Sequence, residues 1–192
     1  SRVHINRIYE TLSGECGENG DNITWSLDTK DGILRLEGSG NMKLPEESDG
    51  LTWKDRGLAV KEIILPDSLE SICPSAFSGC AVRTIKLNKY LRTIGASAFN
   101  GCTGLTSMEF PSSLSSIGDY AFQNCDNLTS ITSYSNGITL GADAFKGNSS
   151  WDYIAANCVL KVPDGCTLTY AAASGGGSGS WSYWDQFYTN NN

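Results

Sequence analysis

One phrase of a dozen residues occurs four times in this chain, with starts at Leu69, Leu91, Leu114 and Gly137. It reads LESICPSAFSGC, LRTIGASAFNGC, LSSIGDYAFQNC and GITLGADAFKGN in turn. A fixed short period, here about 22 to 23 residues, marks a solenoid, in which each unit stacks on its neighbours and the array presents a repetitive surface. A single unit cannot bury enough apolar side chain to offset the entropy lost on ordering it, so the units must stack and the two end units need covers. Repetitive surfaces bind other molecules, so the period points to recognition without naming the ligand.

Within the second unit, Gly95 follows Ile94, and Ala98 and Phe99 precede Asn100-Gly101-Cys102. This spacing predicts a tight turn and one helical turn that aims Phe99 inward, with Phe77, Phe122 and Phe145 at the same site in the other units. Short alternating strands come next, with Ile63 and Leu65, Ile85 and Leu87, Met108 and Phe110, and Ile131 and Ser133 inward. The outward set is then Glu62 and Ile64, Thr84 and Lys86, Ser107 and Glu109, Ser130 and Thr132. We expect an α/β repeat solenoid, predominantly β, with four coils over residues 59–150.

Both flanks read as covers. In residues 1–58, Ile23, Trp25 and Leu27 lie on one face, an Asp-Gly turn signal falls within residues 28–32, and Leu34 and Leu36 continue the pattern, which predicts a β-hairpin. Leu51 and Trp53 lead into the first coil and are expected to pack on that hairpin. In residues 151–192, CVLKVPDG from Cys158 offers a final strand ended by Pro163 and Gly165. A Gly- and Ser-rich stretch from Ser174 to Ser180 then precedes Trp181, Tyr183, Trp184, Phe187 and Tyr188.

The phrase IGxxAFxxCxxL, preceded by LPxSL as in Leu65 to Leu69 and Phe110 to Leu114, resembles the BspA-type leucine-rich repeat of bacterial surface proteins. The likeness is strong over roughly Val60 to Asn148. SGECG at Ser13 with the run from Thr24 is similar to a module that often precedes these repeats, and Val162-Pro163 is similar to their usual end. The resemblance implies right-handed leucine-rich-repeat-like coils and a secreted or cell-surface protein. It implies a protein ligand, such as a host matrix protein or a microbial surface protein, and supplies no catalytic motif. Two departures stand out: Cys73-Pro74 occupies the site where other coils have Gly, and the fourth coil has Tyr134-Ser135-Asn136 in place of the Leu-Pro step.

Charge excludes some partners. The chain has a formal charge of −7, and only 18% of its residues are charged. With no cluster of Lys and Arg to neutralise phosphate, neither nucleic acid nor an anionic membrane is expected as a partner. No apolar run approaches the roughly 18 residues of a membrane span, so direct insertion of this segment is not expected. The sequence starts at Ser1 without a signal segment, and we expect one to have been removed from a longer precursor.

Cys80, Cys102 and Cys125 share one repeat position, which predicts a ladder of free buried thiols that donate weakly to backbone. Cys16, Cys73, Cys158 and Cys166 lie outside the ladder and leave their pairing open, Cys158 with Cys166 being the most local choice. No C-x-x-C occurs, and neither a metal nor a cofactor is expected. The single histidine, His4, lies in a terminal segment and leaves no base for a Ser or Cys nucleophile, so no catalytic residue is assigned. The acidic stretch from Glu15 to Asp21 lacks EF-hand spacing and reads as a solvated turn rather than a calcium site.

Two surfaces remain. The outward row is expected to stack as one column of Ile64, Lys86, Glu109 and Thr132 beside another of Glu62, Thr84, Ser107 and Ser130. At about 4.8 Å per coil, four coils offer about 300 to 400 Å², short of the roughly 800 Å² per partner of a standard interface. Weak single-site binding strengthened by many copies follows. The alternative is a carbohydrate-binding module whose Trp181, Tyr183 and Trp184 stack on sugars, against a reading in which Trp181, Trp184 and Phe187 close the last coil, and a structural spacer within a longer surface protein is the third reading.

Overall fold

A computed structural model describes residues 9–45, 52–147 and 158–162. The described chain is predominantly β, and its one helical element is a 3-10 segment, Trp53–Ala59. The α component expected from the repeat is therefore not found in the described coils. Among the described residues, no helix is long and apolar enough to cross a membrane.

Three antiparallel strands come first: β1 (Thr11–Gly17), β2 (Gly20–Asp28) and β3 (Ile33–Asn41). The expected hairpin is β2 and β3, with Ile23, Trp25, Leu27, Leu34 and Leu36 all buried. The third strand was hidden in the sequence because its inward row is Leu12, Gly14 and Cys16, and Gly14 contributes no apolar side chain. The indole of Trp25 lies there instead, and a Cβ on Gly14 would meet its Nε1 at 2.8 Å. The stretch read as one acidic turn is thus mostly strand, the turn being only Glu18 and Asn19.

One edge of β3 starts two parallel ladders. Residues 33–35 pair with β4 (Glu62–Ile64), and residues 39–41 pair with β5 (Ser68–Ile72). The second ladder continues through β6 (Thr93–Ile94), β8 (Ser116–Ile117) and β10 (Thr139–Leu140). Its inward members, Ile72, Ile94, Ile117 and Leu140, share one register and are buried. A separate three-stranded sheet holds β7 (Ser107–Phe110), β9 (Ser130–Ser133) and β11 (Val159–Lys161), which includes the expected final strand.

The turn around each Phe is not helical. Ser75, Ser97, Tyr120 and Asp143 have φ of 58, 55, 57 and 51°, and Gly79, Gly101 and Asn124 also lie in the left-handed region. A right-handed helix cannot contain such residues. Instead the N–H groups of Ser75, Phe77 and Gly79 donate to the carbonyls of Ala96, Ala98 and Asn100, each at 2.8 Å. The same three bonds recur from the second coil to the third and from the third to the fourth, making another ladder between coils.

Phe77, Phe99, Phe122 and Phe145 are buried, as expected, and stack with centroids 5.6, 5.2 and 5.1 Å apart. The thiols of Cys102 and Cys125 donate to the carbonyls of Phe77 and Phe99, each at 3.1 Å. A Cβ on Gly95, Gly118 or Gly141 would lie 2.5, 2.5 or 2.3 Å from a backbone nitrogen of the preceding coil, so the close approach of turns demands Gly. Cys73 takes that position in the first coil, where the neighbour is the end of β3 rather than another turn. At the corner between the two ladders, Asn88 donates to the carbonyls of Pro66 and Leu69, while Ser113 and Ser135 donate to those of Leu91 and Leu114. Ser135 thus preserves this bond in the coil that lacks the Leu-Pro step.

Candidate ligand-binding face

Alternation along these segments turns the expected residues outward. Glu62, Thr84, Lys86 and Glu109 are exposed, and Ile64, Ser107, Ser130 and Thr132 are half-buried. Their inward neighbours Ile63, Ile85, Met108 and Ile131 are buried.

The two columns are not continuous. Glu109 pairs with Thr132 and Thr132 with Lys161, while Ser107 pairs with Ser130 and Ser130 with Val159. Glu62 and Ile64 instead face Ile33 and Arg35 of β3. Between these groups, the backbone of residues 84–87 makes no hydrogen bond among the described residues. Thr84 and Lys86 therefore stand outside both ladders, contrary to the unbroken columns expected from the period.

A one-residue difference in spacing coincides with the break. Cys102 and Leu105 are three positions apart, as are Cys125 and Leu128, but Cys80 and Val82 are only two apart. In the longer coils the chain enters its strand through Thr106 N–H to Arg83 O and Thr129 N–H to Thr106 O, at 2.9 and 3.0 Å, and Val159 N–H donates in turn to Thr129 O at 2.9 Å. At the short connection the link is Ala81 N–H to Val60 O, at 2.9 Å. Meanwhile the N–H groups of Lys61 and Glu62 are both drawn to Gly32 O, which holds β4 against β3.

The break opens a cleft of about 680 Å³ between residues 61–67 and 81–88. Ile64, Leu65 and Leu87 supply apolar lining, and Lys61, Arg83, Lys86, Glu62 and Asp67 supply charge. None of these five is in an ion pair with another described residue; the ion pairs among the described residues, Arg56 with Glu10 and Lys146 with Asp143, lie outside the cleft. Period counting missed Lys61 and Arg83 because they precede the alternating positions. It also missed Val159 and Lys161, since the step from Ser130 to Val159 is longer than the repeat period. The alternation in CVLK was the available signal.

Trp181, Tyr183 and Trp184 lie outside the described residues, as do Cys166, Leu51 and the Gly- and Ser-rich stretch. Among the described residues, no group of three His, Cys, Asp or Glu side chains comes together as a metal site. Burial raises the thiols of Cys16, Cys73, Cys80 and Cys102 to about 12, and pushes that of Cys125 up as well. These thiols serve packing rather than nucleophilic chemistry.

Comparison with known proteins bears on the fold. A leucine-rich repeat protein from Eubacterium ventriosum ATCC 27560 matches with a TM-score of 0.55 at 18% identity, covering 85% of this chain and 47% of that one. At that identity the likeness concerns fold, and this chain spans less than half the length of that protein. A T. pallidum leucine-rich repeat protein, TpLRR, matches with a TM-score of 0.37 at 18% identity, over 68% of this chain and 87% of that one. No curated protein matches the chain. Residues 56–165 match the BspA type leucine rich repeat region in six copies, two more than the four phrases legible in the sequence, and the chain belongs to that family.

Proposed function

We propose that this chain is a non-catalytic protein-binding module of a secreted or cell-surface protein, acting in adhesion through its outward strand face. The observation that carries the reading is the in-register outward placement of Glu109, Thr132 and Lys161 beside Ser107, Ser130 and Val159. These side chains alternate with the inward Met108, Ile131 and Leu160, and Glu109 and Lys161 are exposed with opposite charges. The face extends through Thr84 and Lys86 to Glu62 and Ile64.

Residues 59–150 form the solenoid in this reading, with 1–58 and 151–192 as its end covers. The bond from Trp53 to Ala76 supports the first cover, because it satisfies a carbonyl at the open side of the first coil. Right-handed coils accord with the strong preference of parallel strands for right-handed connections.

The test is binding of the immobilised protein to a panel of host matrix proteins and polysaccharides, beside Glu109→Lys/Lys161→Glu and Trp181→Ala variants. A protein ligand lost only in the charge-swapped variant places adhesion on the strand face. A polysaccharide signal lost only with Trp181, in a variant that still folds, replaces this reading with glycan binding.

A further inference from the structure

We propose that the cleft between the first and second coils takes an extended acidic peptide segment, which pairs with the free backbone of residues 84–87. This rests on the reading of the strand face as a protein-binding surface and names where and how a partner engages it.

The burial pattern there alternates as in a strand. Ile85 and Leu87 are buried while Thr84 and Lys86 are exposed, so the side chains are seated and only the peptide groups lack partners among the described residues. Adding a strand to such an edge makes hydrogen bonds without the entropy of ordering the receptor. The cleft volume of about 680 Å³ falls within the range of about 300 to 1,000 Å³ typical of ligand sites. Ile64, Leu65 and Leu87 can receive alternate apolar side chains of the incoming strand.

Charge selects the segment. Lys61, Arg83 and Lys86 outnumber Glu62 and Asp67, in a chain whose overall charge is −7. The local surplus is thus opposite in sign to that of the whole molecule. A preference for acidic peptides would report the cleft, whereas attraction by net charge alone would favour basic ones.

The experiment is fluorescence anisotropy of the full chain with a labelled octapeptide of alternating Val and Glu. Saturable binding is expected, weakened about tenfold by N-methylation of alternate backbone nitrogens, which removes donors for strand pairing. Loss of about tenfold is also expected in a Lys61→Glu/Arg83→Glu variant, with Lys61→Gln/Arg83→Gln as the milder version and circular dichroism to verify folding. No binding, an unchanged affinity of the N-methylated peptide, or tighter binding of a Val and Lys octapeptide would each overturn the proposal. So would self-association lost in the Lys61/Arg83 variant, which would assign the cleft to a second copy. If a matrix protein binds and is released by Glu109→Lys/Lys161→Glu while the Val and Glu octapeptide never binds, the face reading stands and the cleft inference alone fails.

Discussion

The indole N–H of Trp53 donates to the carbonyl of Ala76 at 2.6 Å, with both residues fully buried. In the next coils the corresponding carbonyls, of Ala98 and Ala121, are held by the backbone N–H groups of Phe77 and Phe99. A side chain thus makes, at the first coil, the bond that the backbone of a preceding coil makes elsewhere. Trp53 also packs edge-on against Trp25 at 5.1 Å, which ties the three-stranded region to the first coil. Trp53→Phe keeps most of the packing but leaves the Ala76 carbonyl without its donor, and should cost about 1 to 3 kcal/mol by urea unfolding. A Trp53→Ala change should cost about 3 to 5 kcal/mol.

Gly118→Ala would place a Cβ 2.5 Å from the nitrogen of Ala96, an atom that cannot move without displacing a turn. A loss of about 1 to 3 kcal/mol is expected by the same measurement. Cys73→Ala, at the equivalent position but beside β3, should be milder. Equal losses would refute the close-approach account of these glycines.

Phe122 is stacked between Phe99 and Phe145 and also touches Phe110, at 5.2, 5.1 and 5.8 Å. Truncation to Ala opens the middle of the column and should cost about 3 to 5 kcal/mol. Because each coil depends on its neighbours, hydrogen exchange should rise on both sides of the mutated coil rather than only within it.

The thiols of Cys16, Cys73, Cys80, Cys102 and Cys125 should stay unreactive toward iodoacetamide at pH 8 until the chain is unfolded. For the first four, burial raises the pKa from 9.0 to about 12, so the folded state retains protons that the unfolded state releases. This contribution is fully present below pH 9.0 and is lost as pH rises toward about 12. Urea midpoints compared at pH 8 and pH 10 should fall, and Cys102→Ala should show a smaller fall.

Inserting one Gly after Ala81 restores the three-position spacing found between Cys102 and Leu105. The strand segment of the second coil should then join the ladder of β7, slowing amide exchange at residues 84–87 by about tenfold. Unchanged exchange there would show that the short connection is not what holds the ladder open.

Much of the architecture was legible because the side chains that build it repeat. The Phe column, the thiol ladder, the Gly positions and the alternation from Glu62 to Thr132 all follow from the short fixed period. The turn geometry was not legible, since Ser75, Ser97, Tyr120 and Asp143 are ordinary residues whose left-handed backbone is imposed by bonds between coils. A local Ala-Phe pattern looked helical because the competing hydrogen bonds come from a neighbouring coil, as Phe77 N–H to Ala98 O does, and not from the same turn.

The repeating residues alone establish the family, the stacking and the direction in which each strand side chain points, because period and alternation are properties of the chain itself. Whether neighbouring strands actually pair depends on where long-range bonds bring their backbones. Gly32 O holds β4 against the first region, Ala81 N–H reaches Val60 O, and the segment with Thr84 and Lys86 is left between two ladders. The cleft arises from that competition, which only the folded chain resolves, since pairing is a contest among distant backbone groups for a limited set of partners.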